Sequence, residues 1–193
     1  MKKLLSSLVL TGVLLAPTAQ AADWNGAYAG LAGASATADA DFFYLDVQNN
    51  GPWESEGTIF GGFAGYNVQN GNFVFGGEIS YMVGELLAPD DSFYDNLLDV
   101  KARAGYAAGS ALIYGTAGYS TYDISELYAA PDSDPLTGFG YGVGFDMMVT
   151  EKIFVGLEYF TRAIEGDLTY PTDPNWSIEG NATTITARVG MNF

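Results

Sequence analysis

Apolar and polar positions alternate with a period of two along most of the chain, most cleanly at its end. From Ala182 to Phe193 the odd positions run Thr183, Ile185, Ala187, Val189, Met191, Phe193, and the even ones Thr184, Thr186, Arg188, Gly190, Asn192. One face is apolar and the other polar, as in a β-strand. Similar stretches occupy Trp24–Ala34, Thr58–Val68, Phe73–Met82, Leu97–Tyr106, Ala111–Ser120, Phe139–Met148 and Ile153–Arg162, so eight strands are predicted. Asn70-Gly71, Ala107–Ser110 and Val149–Lys152 read as tight turns. Longer loops are expected through Thr37–Gly57, over Val83–Asn96, between Tyr122 and Pro135, and over Ala163–Asn181. Short and long connections thus alternate. The pattern predicts an all-β fold: an eight-stranded antiparallel up-and-down barrel with short turns at one end and four long loops at the other.

Alternation alone does not say which face is outside, and a soluble up-and-down barrel has the same period. Three features favour lipid outside. The mixed face is too poor in charge to meet water: one strand offers Gly61, Phe63, Gly65 and Asn67, another Gly140, Gly142, Gly144 and Asp146. The other face carries aromatics at strand ends and small or aliphatic residues between, as in Phe60-Gly62-Ala64-Tyr66, which resembles two interfacial girdles about an apolar band. Finally, Glu78, Asp99, Asp146 and Glu158 share one face with Lys101, Arg103, Arg162 and Arg188. Side chains just fill an eight-stranded barrel, and a buried charge there needs a partner. These eight residues are the predicted lumen charge network, with Gly140, Gly142 and Gly144 leaving room for the long Arg and Lys stems.

The front of the chain reads separately. Met1-Lys2-Lys3, the apolar run Leu4–Leu15 and the small-residue exit Thr18-Ala-Gln-Ala21 form a secretory signal over residues 1–21, with cleavage expected after Ala21 and a transmembrane barrel over 22–193. Outside the signal only Lys101, Arg103, Lys152, Arg162 and Arg188 are basic, against 23 acids, which argues against nucleic acid as a partner. The chain has no His and no Cys, so the usual bases and ligands of nucleophilic catalysis are missing. No enzyme and no cofactor are expected.

Acids instead crowd the predicted loops: Asp39, Asp41, Asp46, Glu54 and Glu56; Glu85, Asp90, Asp91 and Asp95; Asp123, Glu126, Asp132 and Asp134; Glu165, Asp167, Asp173 and Glu179. Such loops keep a surface solvated. Their carboxylates also suit weak binding of Ca²⁺ or Mg²⁺, with Asp90, Asp91, Asp132 and Asp134 as candidates, although no spacing matches a calcium loop. Interleaved aromatics (Phe42, Phe43, Tyr44, Trp53, Phe93, Tyr94, Trp176) suit either an adhesive surface or packing of loop on loop.

Several motifs, in order, resemble the small eight-stranded outer-membrane barrels of Gram-negative bacteria, of the porin-opacity or outer-membrane immunogenic type, an OmpA-like transmembrane barrel without the peptidoglycan-binding domain. They are Trp24-Asn-Gly-Ala-Tyr28-Ala-Gly30, Gly61-Gly-Phe-Ala-Gly65-Tyr66-Asn67, Val100-Lys-Ala-Arg-Ala-Gly105-Tyr106, Tyr114-Gly-Thr-Ala-Gly118, Gly142-Val-Gly-Phe-Asp146, Leu157-Glu-Tyr159 and Arg188-Val-Gly-Met-Asn-Phe193. Phe63 departs from the polar lumen residue that the family implies. The resemblance implies residence in the outer membrane, short periplasmic turns, extracellular loops, and a C-terminal signal (Val189, Met191, Phe193) read by the assembly machinery. Lipid and lipopolysaccharide are the expected surroundings and a monomer the expected state. A structural or surface-interaction role, of antigen or adhesion type, is one expectation; a narrow pore or small-ligand carrier is the other.

Overall fold

Eight antiparallel strands pair in chain order and close on themselves: β1 (Gly26–Tyr44), β2 (Val47–Asn70), β3 (Phe73–Ala88), β4 (Asp91–Ala108), β5 (Ala111–Asp123), β6 (Leu136–Met148), β7 (Ile153–Tyr170) and β8 (Asp173–Asn192), with β8 pairing back onto β1. The computed structural model describes residues 22–45, 47–88, 91–123, 135–170 and 173–193, with side chains outside the description at 47–53, 85–88, 91–95, 123, 168–170 and 173–175. The predicted signal, residues 1–21, lies outside the described residues.

The register fixes the shape. Tyr28 pairs with Gly65, and the row continues through Glu78, Lys101, Gly118, Gly140, Arg162 and Ala182 before returning to β1 at Ala38, ten residues further on. A ten-residue displacement around eight strands tilts them by about 40° and leaves a bore that side chains fill. Short turns close one end. Gly71 sits in one of them at φ +61° with open space around it, a conformation that favours glycine.

At the other end the structure differs from the sequence reading. Three of the four long connections are not irregular loops but continuations of the barrel wall. β1 reaches Tyr44 before β2 begins at Val47, β3 reaches Ala88 before β4 begins at Asp91, and β7 reaches Tyr170 before β8 begins at Asp173. Pairs such as Thr37↔Glu56 and Asp39↔Glu54 hold the ladder there. Beyond the bilayer the outer face need not be apolar, so the alternation that marks a membrane strand fades while the backbone ladder runs on. The fourth connection, 124–134, lies outside the described residues.

Inside, the bore is filled in three layers. At the turn end Trp24, Tyr28, Phe63, Val74, Ala107, Leu112, Tyr114 and Phe154 form one apolar cluster. Charged residues fill the middle. Towards the long hairpins Ile59, Met82, Leu97, Tyr122, Leu136, Ile164 and Ile178 form a second apolar cluster with Ala34, Ala36, Ala40 and Ala182. The outer wall is apolar and exposed, with Leu31, Phe60, Val100, Ile113, Phe139, Val143, Leu157 and Ile185 among its residues. Stacked aromatics mark both borders: Phe73 meets Tyr106 edge-on at 5.6 Å, and Tyr119 meets Phe139 at 5.1 Å. Val189, Met191 and Phe193 all point outward, and the Phe193 N–H donates to the Ala27 carbonyl at 3.0 Å, tying the last residue to β1.

Candidate functional site

Strand parity turns eight ionic side chains inward, and they meet in two groups. In the larger, Glu78 lies 2.9 Å from Lys101, 2.5 Å from Arg188 and 3.5 Å from Arg103. Glu158 lies 2.5 Å from Lys101 and 3.4 Å from Arg188, and Asp146 3.3 Å from Arg103 and 3.6 Å from the Arg188 Nε. Three carboxylates therefore face three cations. In the smaller group Arg162 grips Asp99 with two hydrogen bonds, Nη2 to Oδ2 at 2.6 Å and Nε to Oδ1 at 2.8 Å. The Ser120 and Ser80 hydroxyls also donate to Asp99, at 2.6 and 3.2 Å. Every one of the eight is buried.

An aromatic frame, which the sequence reading left out, holds these ions. The Tyr28 hydroxyl donates to Glu78 at 3.0 Å and the Tyr114 hydroxyl to Glu158 at 3.1 Å. The Arg103 guanidinium lies between their rings, 5.0 and 4.3 Å from the centroids. Arg188 covers Phe63 at 3.9 Å and Arg162 covers Phe160 at 4.6 Å, attractions that strengthen where water is excluded. Phe63 is thus an inward residue that serves a cation through its ring face. The glycines of β6 also play a different part from the one expected. A Cβ at Gly140 or Gly142 would strike the Phe160 ring, and one at Gly144 the Tyr114 ring. They make room for the aromatics, which in turn carry the cations. Tyr114 was hidden in the sequence because both faces of β5 mix small and aromatic residues.

Chemically, the layer is a neutral plug. Four acids meet four bases, and apolar clusters cover both sides. The space beside the network, lined by Glu78, Asp99, Lys101, Glu158 and Arg162 among others, is about 10 Å³, room for roughly one water. Lys101 is pinned between two carboxylates, while Lys152 is exposed on the β6–β7 turn. Among the described residues no group of three His, Cys, Asp or Glu is arranged to hold a metal ion. Of the candidate cation ligands, Asp90, Asp132 and Asp134 lie outside the described residues; Asp91 opens β4 but its side chain is not described.

The outer face above the girdle carries a second feature. Asp41 pairs with Glu179, which pairs with Glu165, so three carboxylates stand side by side across β1, β8 and β7. With Asp39 they border a cleft of about 500 Å³ floored by Tyr119 and Phe139. Of the predicted loop aromatics, Phe42 and Trp176 pack onto the upper apolar cluster, and the Tyr44 and Trp176 rings lie 5.1 Å apart.

Residues 6–193 match the family model described as the outer membrane protein beta-barrel domain. The chain is 34% identical over 151 residues to a 22 kDa outer membrane protein of Rhizobium leguminosarum bv. viciae, a match spanning 75% of this chain and 66% of that protein. Its fold is similar to the crystal structure of the outer membrane protein OprG from Pseudomonas aeruginosa, at TM-score 0.55 and 14% identity over 88% of this chain and 96% of that one. The N-terminal β-barrel domain of Pseudomonas aeruginosa OprF aligns at TM-score 0.47 and 17% identity over 83% of this chain and 97% of that one.

Proposed function

Because the chain belongs to the outer membrane protein beta-barrel domain family, we propose that this integral barrel of the Gram-negative outer membrane is a closed, non-enzymatic scaffold whose work is done on its outer surface. The observation that carries this reading is the filled bore: among the described residues, paired ions between two apolar layers leave no continuous aqueous path. A pore or small-ligand carrier would need a bore wider than the space beside Glu78 and Lys101. The role then falls to the hairpin extensions above the membrane, which present an acidic face to the medium. Its partners are lipopolysaccharide and cationic groups outside the cell, and the barrel acts as a monomer. Val189, Met191 and Phe193, on the lipid face of the closing strand, serve as the mark for assembly.

The row Asp41, Glu179, Glu165 forms no metal cage among the described residues, but its adjacent carboxylates motivate a role for divalent cations as loosely held counter-ions in this reading. Like charges directly opposite in a sheet destabilise it, and Ca²⁺ or Mg²⁺ relieves that repulsion, with weak affinity on the order of 10⁻⁴–10⁻³ M in the absence of a built cage. The test is a deletion strain complemented either with the wild type or with Asp41→Asn/Glu165→Gln/Glu179→Gln. The neutralised variant is expected to reach the membrane at normal levels yet fail to restore Ca²⁺-dependent surface properties such as adhesion, while small-solute uptake is the same in every strain. Uptake that falls on deletion and returns with either form would replace the scaffold with a pore.

A further inference from the structure

We propose that residues 22–25 form a strap across the periplasmic mouth of the barrel, hinged at Gly26 and stoppered by Trp24, that opens without unfolding the wall. The segment precedes β1 and pairs with no strand, yet it is moored at three points around the mouth. The Ala22 N–H donates to the Gly109 carbonyl in the β4–β5 turn at 2.7 Å. The Trp24 N–H donates to Gln69 Oε1 beside the β2–β3 turn at 2.7 Å. The Asn192 side-chain amide, on β8, donates to the Asp23 carbonyl at 3.2 Å. Between these moorings the Trp24 indole turns up into the bore, 1% exposed, and meets Phe154 edge-on at 5.7 Å within the lower apolar cluster. The bend from wall to strap falls on Gly26, whose φ of +113° favours glycine and whose Cβ, if present, would lie 3.3 Å from the Phe193 carbonyl.

Two features make this a closure poised to open rather than a fixed part of the wall. The strap lies outside the barrel ladder, held among the described residues by four hydrogen bonds, two of them reciprocal with Gln69, whose N–H also donates to Asn25 Oδ1 at 3.4 Å. It is the kind of segment that opens locally. At its level the indole Nε1 of Trp24 and the side-chain oxygens of Asn67 and Asn192 are buried without a hydrogen-bond partner among the described residues. Such groups regain hydrogen bonds with water when the mouth opens, which offsets part of the apolar burial lost. Opening would admit periplasmic water as far as Phe154, Ala107 and Leu112, while the ion layer and the upper apolar cluster stay shut. The strap is therefore independent of the surface role proposed above, and of whether the barrel conducts.

The chain has no cysteine, so a single Ala107→Cys places one thiol behind the strap, at a site 0% exposed. On the full mature barrel refolded into liposomes, a small charged methanethiosulfonate should label this thiol slowly. Adding Trp24→Ala or Gly26→Ala should speed labelling at least ~10-fold, and Trp24→Phe should keep it slow. Equal rates with and without Trp24→Ala would overturn the stopper. Amide exchange on the unmodified protein gives a second measurement should either variant fail to fold. The Trp24 amide is expected to exchange ~100-fold or more faster than ladder amides of β5 and β7 at the same end. Exchange at the ladder rate would make the segment a fixed part of the wall.

Discussion

Arg188 has the densest set of partners in the bore: Glu78, Glu158 and Asp146 as counter-ions, the Tyr114 hydroxyl as acceptor, and the Phe63 ring beneath. Replacing it with Ala leaves three buried carboxylates to share two cations, Lys101 and Arg103, so one buried negative charge goes uncompensated. The expected loss is about 3–5 kcal/mol of stability in denaturant unfolding of the refolded barrel. The Asp99–Arg162 pair supplies a sharper comparison because it stands apart from the larger group. Arg162→Met alone should be strongly destabilising, while Asp99→Leu with Arg162→Met should be more stable than the single change, because both charges leave together. Inward placement of these residues was legible in the sequence, since parity puts Glu78, Asp99 and Arg188 opposite the aliphatic face. The aromatic frame was not. Tyr28, Tyr114 and Phe154 are inward rings in a chain whose other rings mostly face lipid, and only the register places them beside Gly65, Gly144 and Gly190.

At the scale of the strand, that register pairs large side chains with glycines. Two glycines with opposite outlooks test it. A Cβ at Gly144 would overlap the Tyr114 ring, whereas one at Gly77 meets nothing closer than the Lys101 carbonyl at 3.8 Å. Gly144→Ala should displace Tyr114 from Glu158 and lower the unfolding midpoint, and Gly77→Ala should leave it unchanged or raise it slightly. Equal effects would mean that the bore is looser than the contacts imply. The closing strand offers the complementary test on the outside. Val189 faces lipid between Leu31 and Val155, so Val189→Asp is expected to block insertion and leave periplasmic aggregates, as is deletion of Phe193. Normal surface levels of both would remove this strand from the assembly role. All eight strands could be found from alternation, but their upper limits could not. Above the bilayer Ala36, Ala38 and Ala40 alternate with Thr37, Asp39 and Asp41, a pattern without an apolar outer face, and the continued ladder leaves no mark in hydropathy.

For the molecule as a whole, barrel closure and bore filling are one property. Eight strands displaced by ten residues set a width that packed side chains fill apart from spaces of about one water. The count of strands was readable from the sequence; the displacement was not, because it sums the offsets of all eight strand pairs. A closed wall without edges resists detergent, so boiled and unboiled samples are expected to migrate differently in SDS gels, and identical migration of inserted protein would count against closure. The filled bore is tested most directly in a planar bilayer. Wild-type barrel, inserted and shown to be folded by its gel shift, should add no steady conductance above the bare membrane in molar KCl. Resolved, reproducible unit steps from the same preparation would contradict the sealed bore, and with it the assignment of function to the outer surface.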